Sequence, residues 1–459
     1  VWYCQSCGEL IVEMEDPAEC TKCGGKLERG PDVLDTWFSS WLWPFSTLGW
    51  PDETPEMKYF YPTDLLVSGY DIIFFWIARM IMAGLEFTGD IPYRAVYITG
   101  MIKDEQGRWM SKSLGNGIDP IDMIDQYGAD AVRCSLILLN TEGQDIKLSP
   151  TRFEMGRNFA NKLWNAGRFI QMQGELKGVN PAPDDLADKW ISSRFQKVVA
   201  AVRENMTKYR LNDALTAIYD FTWHEFCDWY LELVKPRLYG GDENARETAL
   251  TLTIDVFRGI LELLHPFMPF VTEELNESVC KTAAGNGLLI KTAYPQADEN
   301  WIDPAAETEM TFIQDVIYQV RNLRAEMNVP PQKMAEIVLF GDEDKIAAVE
   351  KHAGYFANLI KVDSIIRGQE KPKPASSAVI EGLEIFLPLG GLIDVQSELA
   401  RLQKEQEKLA GRLTGLRKKL ENENFVNKAK PEVVDRERDK LVSNEEAMTK
   451  LLANIELLS

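Results

Sequence analysis

The sequence predicts a multidomain protein in which an α/β layer is followed by an all-α bundle, a small α+β unit and a C-terminal antiparallel coiled-coil hairpin. Three observations predict it. Short apolar strands alternate with helices up to about residue 150, amphipathic helical periodicity then runs nearly unbroken to Val279, and a heptad seam occupies the residues from 390 on. At 459 residues the chain is too long for one hydrophobic core, and 45% hydrophobic with 26% charged residues is the composition of a folded protein.

The elements follow in order. Residues 1–30 form a small unit punctuated by Cys and Gly, and Pro31 opens an aromatic-rich stretch that ends near Pro51. DLLVSG, from Asp64, reads as a buried strand, and DIIFFWIARMIMAG as a mostly apolar helix. IPYRAVYIT is a second strand, MIKDEQGRWMSKSLGNGIDP a polar loop, and IDMIDQYGADAVRCSLILL one helix, an order that implies a parallel sheet. Residues 151–300 are expected to hold the helical bundle and its connecting helices. Residues 301–389 should form a helix with the alternating segments AEIVLF and LEIFLPL. From residue 390, one seam runs Leu392, Val395, Leu399, Leu402, Gln406, Leu409, Leu413, Leu416 and Leu420, and a second runs Val434, Leu441, Met448, Leu451, Ile455 and Leu458. Pro431 and the turn ENENFVNKAK favour a two-helix hairpin; a dimerising coiled coil is the alternative.

Charge bears on function. A formal charge of −21 argues against a nucleic-acid partner, because phosphate binding normally shows as a basic excess, but a local basic patch escapes that argument. The apolar run Ile72–Leu85 is broken by Arg79 and is shorter than the roughly 20 residues of a bilayer helix. No basic segment followed by an apolar one opens the chain, so a cytoplasmic location is expected, and Val1 in place of Met suggests a cut or boundary.

Cys4, Cys7, Cys20 and Cys23 give C-x2-C, twelve residues, C-x2-C, with Gly8 and Gly24 directly after the pairs. Two tight turns of that kind present four thiolates tetrahedrally to one structural zinc ion, and four Cys ligands leave no open position for a reacting water. Cys134, Cys227 and Cys280 sit on apolar helical faces and read as inert core residues. The second signal is GRWMSKSLGN, residues 107–116, where small hydroxyl residues and glycines let backbone N–H groups approach phosphates and Lys112 adds a mobile cation.

Met110-Ser111-Lys112-Ser113 with Gly115 and Asn116 following is similar to the signature loop of class I aminoacyl-tRNA synthetases. GYDIIFFWIARM, YITGMIKDEQGRWMSKSLGNGIDP and NFANKLWNAGRF resemble the valyl members of the valine, isoleucine and leucine subgroup, and the likeness extends from residue 1 to 459. The resemblance implies a partial Rossmann-type catalytic domain over 31–150 that activates valine with ATP and Mg²⁺. Lys112 would be the catalytic cation that stabilises the triphosphate while the valine carboxylate attacks the α-phosphorus. It further implies that Gly69 and Asp71, with Met110, Ser111, Lys112 and Ser113, bind ATP. Trp37, Ile72 and Trp76 would line the pocket for the valine side chain; core packing is the alternative for these three.

By the same resemblance the helices from Asp188 to Val279 are the anticodon-binding bundle. The hairpin would be an arm that meets tRNA(Val) through Arg412, Arg417, Lys418, Lys419, Lys428 and Lys430, placed at the tip of an arm that is neutral as a whole. His224 and His265 read as structural, and Arg321, Asn322 and Arg324 match a family segment for which a solvated helix face is the alternative. A monomer is implied for the full-length enzyme.

Two departures from the family pattern stand out. Trp109 holds the place where the family's loop begins with lysine, leaving Lys103 and Arg108 as nearby substitutes. The family's His-Ile-Gly-His motif and its editing domain have no counterpart here, the only histidines being His224, His265 and His352. The chain is therefore expected to need a complementary half for aminoacylation; a non-catalytic tRNA-binding module and isoleucyl-tRNA synthetase are the alternatives.

Overall fold

A computed structural model describes residues 1–141, 143–174, 184–280, 287–422, 425 and 431–458. Its contacts divide the chain into two units, Val1–Asp119 with Leu138–Arg152, and Pro120–Ile137 with Phe153–Ser459. Among the described residues, no helix is long and apolar enough to cross a membrane.

The first unit opens with three short antiparallel strands, β1 (Trp2–Cys4), β2 (Leu10–Ile11) and β3 (Leu27–Arg29), in the order β2-β1-β3. Their small core is Cys4, Ile11 and Cys20, with Leu27 packed against it. Three short helices follow, α1 (Thr36–Ser40), α2 (Trp43–Ser46) and α3 (Pro55–Phe60). α3 starts because Thr54 accepts the Met57 N–H and Pro55 fills the first helical position.

β4 (Thr63–Gly69) pairs in parallel with β5 (Tyr93–Thr99), in register from Thr63 opposite Tyr93 to Gly69 opposite Thr99. The connection turns through a 3₁₀ segment, Tyr70–Ile72, and a wide π turn, Ile73–Ile77, into α4 (Ala78–Phe87). Leu66, Ile77, Met80 and Tyr93 lock the helix to the strands, and the Tyr93 hydroxyl donates to the Ile77 carbonyl at 2.6 Å. The expected helix is thus three conformations in series. The segment read as a plain loop carries β6 (Ile102–Lys103), which pairs in parallel with β7 (Ile146–Lys147).

The helix expected over 121–139 breaks at Gly128, whose φ of +91° only glycine adopts without strain, into α5 (Pro120–Tyr127) and α6 (Ala129–Leu139). Residues 120–137 belong with the helical unit, although the sequence reading put them with the α/β part. The reason is polar as well as apolar. The Asp130 carboxylate, buried, accepts the Phe270 and Val271 N–H groups at 3.2 and 2.6 Å, and Arg133 donates to the Pro266 and Phe267 carbonyls.

The rest of the helical unit comprises α7 (Glu154–Gln171), α8 (Leu186–Thr207), α9 (Leu211–Asp220), α10 (Leu231–Leu238), α11 (Glu243–Leu264) and α12 (Pro269–Val279). A π segment, Phe221–Tyr230, joins α9 to α10 without a break. Aspartates start these helices wherever the preceding chain is extended: Asp185 caps α8 and Asp242 caps α11 through backbone N–H groups two or three residues on. α11 buries residues around most of its circumference, Leu250, Ile254, Phe257 and Leu261 among them, and so forms the bundle's centre.

α13 (Pro304–Glu326) leads into a four-stranded sheet, β8 (Ala335–Gly341), β9 (Val362–Arg367), β10 (Ala375–Ile380) and β11 (Leu383–Pro388), in the order β10-β11-β8-β9. Only the β8/β9 pair is parallel, and α14 (Glu343–Lys351) with α15 (Ala353–Ile360) provides its crossover. Sequence reading found β8 and β11, each of which carries a run of three buried apolar residues, and missed the half-exposed edge strands β9 and β10. The chain ends in two long helices, α16 (Val395–Glu421) and α17 (Pro431–Leu458). Arg417 pairs with Glu445 at 2.7 Å and Lys419 with Glu437 at 3.2 Å, so the helices run antiparallel. Leu402, Leu413, Val434 and Leu451 of the heptad seams are buried between them.

Candidate functional site

Each C-x2-C pair sits on a turn closed by a backbone hydrogen bond: Gly8 N–H to the Cys4 carbonyl at 2.9 Å, and Gly24 N–H to the Cys20 carbonyl at 2.8 Å. Gly8 and Gly24 have φ of +72° and +69°, conformations a side chain resists, and this is why a glycine follows each pair. The turns bring Cys4 Sγ to 3.5 Å from Cys23 Sγ and Cys7 Sγ to 3.7 Å from Cys20 Sγ, and all four sulfurs lie within 4.8 Å of one another. A zinc tetrahedron with sulfur bonds of about 2.3 Å has edges of about 3.8 Å, so the spacing fits a thiolate-bound metal, whereas a disulfide needs about 2.05 Å. The backbone N–H of Cys7 holds the Cys4 thiol down to about 6, while the neighbouring Cys7 thiol pushes Cys23 up to about 12. Four mutually crowded thiols cannot all ionise without a compensating cation. Cys134, Cys227 and Cys280 are buried, and burial pushes each up to about 12, which leaves them inert as nucleophiles.

The segment from Met101 to Asn116 is an ordered hairpin. Lys103 bridges Trp109 in antiparallel fashion, Met110 N–H reaches the Ile102 carbonyl, and Gly107 turns the chain with a φ of +80°. Asp104, buried at 6% exposure, gathers the open end: its carboxylate accepts the Arg108 backbone N–H at 2.8 Å, Arg108 Nε at 2.8 Å and Asn116 Nδ2 at 2.9 Å. The Asn116 amide, then the Arg108 backbone N–H and guanidinium, hold the Asp104 carboxyl down to about 2. Asn116 Oδ1 in turn accepts the Ser111 N–H, and Ser111 Oγ meets Ser113 Oγ at 3.2 Å and the Leu114 N–H at 3.3 Å. Met110 is half-buried beneath this turn. Lys112 opens a 3₁₀ turn, Lys112–Leu114; its side chain lies outside the described residues.

Asp145 is the residue that sequence reading missed. It precedes β7, and its carboxylate receives the Met101 N–H at 2.9 Å, the Tyr70 hydroxyl at 3.2 Å and the Lys103 ammonium at 2.7 Å. It thereby ties the turn after β4 and the entry to β6 to one point. The signal available was slight: an acid just ahead of a short strand.

Gly69 ends β4 and Asp71 lies in the turn beyond it. A Cβ at Gly69 would stand 2.7 Å from Asp71 Oδ1 and 3.3 Å from Met101 Sδ, so the backbone there is closely approached from the hairpin's first residue. Gly69, Asp71 and the hairpin therefore gather at the carboxyl ends of the parallel strands, where ligands bind in open α/β sheets. Trp37, Ile72 and Trp76 line one cavity of about 510 Å³, together with Ser39, Ser40, Trp43 and Ser46. Trp76 Nε1 donates to the Ser40 carbonyl at 3.0 Å, fixing the indole that separates this cavity from the core of β4 and α4. Trp109, in contrast, is exposed at 52% and neutralises nothing.

On the terminal helices Arg412, Arg417, Lys418 and Lys419 are all exposed. Arg417 and Lys419 are engaged with Glu445 and Glu437, whereas Arg412 and Lys418 form no ion pair among the described residues. Lys428 and Lys430 lie outside the described residues. In the bundle, His265 Nδ1 meets Thr272 Oγ1 at 2.9 Å and His224 Nδ1 lies 3.7 Å from Asp228. Arg324 is buried and donates to the Pro330 and Lys333 carbonyls, so it does not match a solvated helix face, whereas Arg321 is exposed with its guanidinium 5.5 Å from the centre of the Trp229 ring.

Three family models match the chain: tRNA synthetases class I (I, L, M and V) over residues 8–149, anticodon-binding domain of tRNA ligase over 188–339, and valyl tRNA synthetase tRNA binding arm over 394–459. The chain is 47% identical to a valine–tRNA ligase of Clostridium perfringens, covering 100% of this chain and 53% of that protein. A valine–tRNA ligase of Clostridium acetobutylicum is 46% identical over 96% of this chain and 50% of its own length, and one of Thermotoga maritima is 46% identical over 98% and 51%. The chain spans about half the length of the curated relatives it matches. Among solved structures, the Agrobacterium radiobacter K84 agnB2 LeuRS of a ternary complex with tRNA and LeuAMS superposes with a TM-score of 0.53. It is 23% identical over 66% of this chain and 42% of that one, a likeness of fold alone.

Proposed function

The chain belongs to the valyl-tRNA synthetase family, and on that premise we propose that it supplies the ATP signature loop, the anticodon-binding bundle and the tRNA arm of an enzyme that activates valine with ATP and Mg²⁺ and transfers it to tRNA(Val). The observation that carries the reading is the Asp104–Asn116 clasp, which orders the backbone of Met110, Ser111, Lys112 and Ser113 on a hairpin whose first residue, Met101, lies against Gly69 at the carboxyl end of a parallel strand pair. In this reading Gly69 and Asp71 lie against the ATP ribose, and the Ser111 and Ser113 hydroxyls and Lys112 face the phosphates. A valine carboxylate oxygen attacks the α-phosphorus, the bond to the β,γ-diphosphate breaks, and pyrophosphate leaves with its charge offset by Lys112. Trp37, Ile72 and Trp76 exclude water from the valine side chain. Cys4, Cys7, Cys20 and Cys23 hold a structural zinc ion, which contributes folding stability and no chemistry. Arg412 and Lys418, with Arg417, Lys419, Lys428 and Lys430 around the same tip, meet tRNA phosphates, and the protein works in the cytoplasm.

The test is valine-dependent ATP–pyrophosphate exchange by this chain alone and after adding the remaining N-terminal segment of a curated relative, alongside binding of tRNA(Val) against a non-cognate tRNA. Expected are preferential tRNA(Val) binding by the chain and exchange only in the mixture. Cognate tRNA binding without exchange in the mixture favours a second reading, a tRNA-binding module without catalysis, which the exposed Trp109 and the engaged Lys103 and Arg108 support.

A further inference from the structure

Between α8 and α11, beside the 3₁₀ turn Glu299–Trp301, lies a cavity of about 260 Å³ whose walls include Ser192, Phe195, Gln196, Asp255 and Trp301. None of them serves the reading given above. Ser192 is 4% exposed, and its hydroxyl has no hydrogen-bond partner. A buried hydroxyl left in that state lacks what folding normally supplies, which points to a group that enters from outside. Across the cavity Asp255, at the mouth, accepts no hydrogen bond among the described residues, and the cation nearest to it along its own helix, Arg258, is held by Glu262 at 3.1 Å. Desolvation by the surrounding protein pushes the Asp255 carboxyl up, with the Arg258 charge opposing it.

The aromatic wall is fixed in place. The Asp298 N–H donates to Gln196 Oε1 at 2.9 Å on one side of Trp301, and the Asp303 N–H donates to Ser193 Oγ at 2.9 Å on the other. Both anchors are on α8, so Trp301 is pinned over the cavity from both ends of its turn. Phe195, which also lines it, packs where Gly259 has no Cβ: an added Cβ would stand 2.2 Å from the ring.

We propose that this cavity binds a small organic cation, a primary alkylammonium whose N–H groups meet the Asp255 carboxylate and the Ser192 hydroxyl while its stem lies against Phe195 and Trp301. The donor set selects this class. An anion is repelled by Asp255; a hard metal ion wants about six oxygen ligands, and these walls offer few. An ammonium gains a charge-assisted hydrogen bond and a favourable approach to an indole face at once.

The probes are n-butylammonium chloride and its neutral counterpart 1-butanol, titrated into the whole chain labelled with 5-fluorotryptophan and read by ¹⁹F NMR, with Trp301→Phe identifying the Trp301 signal. Expected is a saturable shift of that signal with butylammonium and none with butanol. Asp255→Asn, at an exposed position that keeps the fold, is expected to weaken binding about tenfold and Ser192→Ala about threefold, the range of charged and neutral hydrogen bonds. No saturable shift with butylammonium, an equal response to butanol, or unchanged affinity in Asp255→Asn each overturns the proposal; the butanol arm tests the charge without any substitution.

Discussion

The ammonium of Lys103 stands 2.7 Å from Asp145 Oδ2, inside a carboxylate that also receives the Met101 N–H and the Tyr70 hydroxyl. That pair raises Lys103 and lowers Asp145 from their ordinary values, each mainly through the hydrogen bond between them. Arg108 is likewise held by Asp104. The two cations that sequence alone offers as substitutes for the lysine replaced by Trp109 are therefore structural. Lys103→Met is expected to change the affinity for a fluorescent ATP analogue less than about threefold, and Lys112→Met to weaken it about tenfold or more, the scale of a lost charge-assisted contact. Equal losses in a binding titration would mean that Lys103 leaves Asp145 for the phosphates.

The Asp104 clasp has a pH signature. Its carboxyl sits at about 2 in the folded chain against an ordinary 3.8, with the Asn116 amide as the chief cause. A depressed carboxyl contributes stability that is complete above its unfolded value and is lost as pH falls through the folded one, so the hairpin loosens between about 4 and about 2. A ¹³C NMR titration of the Asp104 carboxyl should place its midpoint near the lower figure, and Asn116→Ala should move it upward. A midpoint indifferent to Asn116 would remove that amide from the account.

How much of this was legible follows from the physics of each part. The clustering of the four Cys and the turn that holds Met110–Ser113 can be read because they are local: the residues brought together are near neighbours in sequence. β8 and β11, the central strands, show because Ile337–Leu339 and Ile385–Leu387 are apolar and buried on both faces; β9 and β10, at the sheet edges, carry Ser and exposed Val379 and look like loop. Asp145 is invisible because its partners Tyr70 and Lys103 lie 75 and 42 positions away, and a lone acid before a short strand says nothing about them. The attachment of α5 and α6 to the helical unit is hidden for the same reason, being made by Asp130 to the start of α12.

That attachment can be tested directly. Asp130 is buried and accepts two N–H groups at the start of α12, where the helix dipole favours a negative charge. Asp130→Ala leaves both donors without an acceptor and is expected to cost about 2–3 kcal/mol, read as a lower denaturant midpoint. Asp130→Asn, which keeps an acceptor and loses the charge, should cost less; equal costs would mean that packing, not the capping bonds, matters at this position.

The four-cysteine cluster offers a steric test. A Cβ at Gly25 would stand 2.5 Å from Ser6 Oγ and 3.1 Å from Cys4 Sγ, and the Gly25 carbonyl accepts the Cys20 N–H at 3.0 Å. Gly25→Ala should displace Cys4 from the four-sulfur cluster without removing a ligand. Elemental analysis is expected to find one zinc per wild-type chain, and a chelating dye to draw it from Gly25→Ala at least about tenfold faster, with Cys23→Ser faster still. A chain that folds fully with no bound metal, or a Gly25→Ala chain that keeps zinc as wild type does, would break the link between this geometry and the ion.

The terminal helices separate two kinds of basic residue. Lys419 reaches Glu437, which is buried at 8% exposure and also meets Lys440 at 2.9 Å, and Arg417 reaches Glu445 across the helix pair. Those cations hold the helices in register. Arg412 and Lys418 form no ion pair among the described residues, so under the proposed function they are the pair to test for contact with RNA phosphates. The double variant Arg412→Ala with Lys418→Ala is expected to weaken tRNA(Val) binding while leaving the melting temperature unchanged, and to reduce the slope of log affinity against log salt by about 2 at most. Lys419→Ala should do the opposite, lowering the melting temperature because it strips a partner from a buried carboxylate. Should the double variant bind RNA with an unaltered salt slope, this face of α16 does not touch phosphate, and the contact must come from elsewhere on the arm.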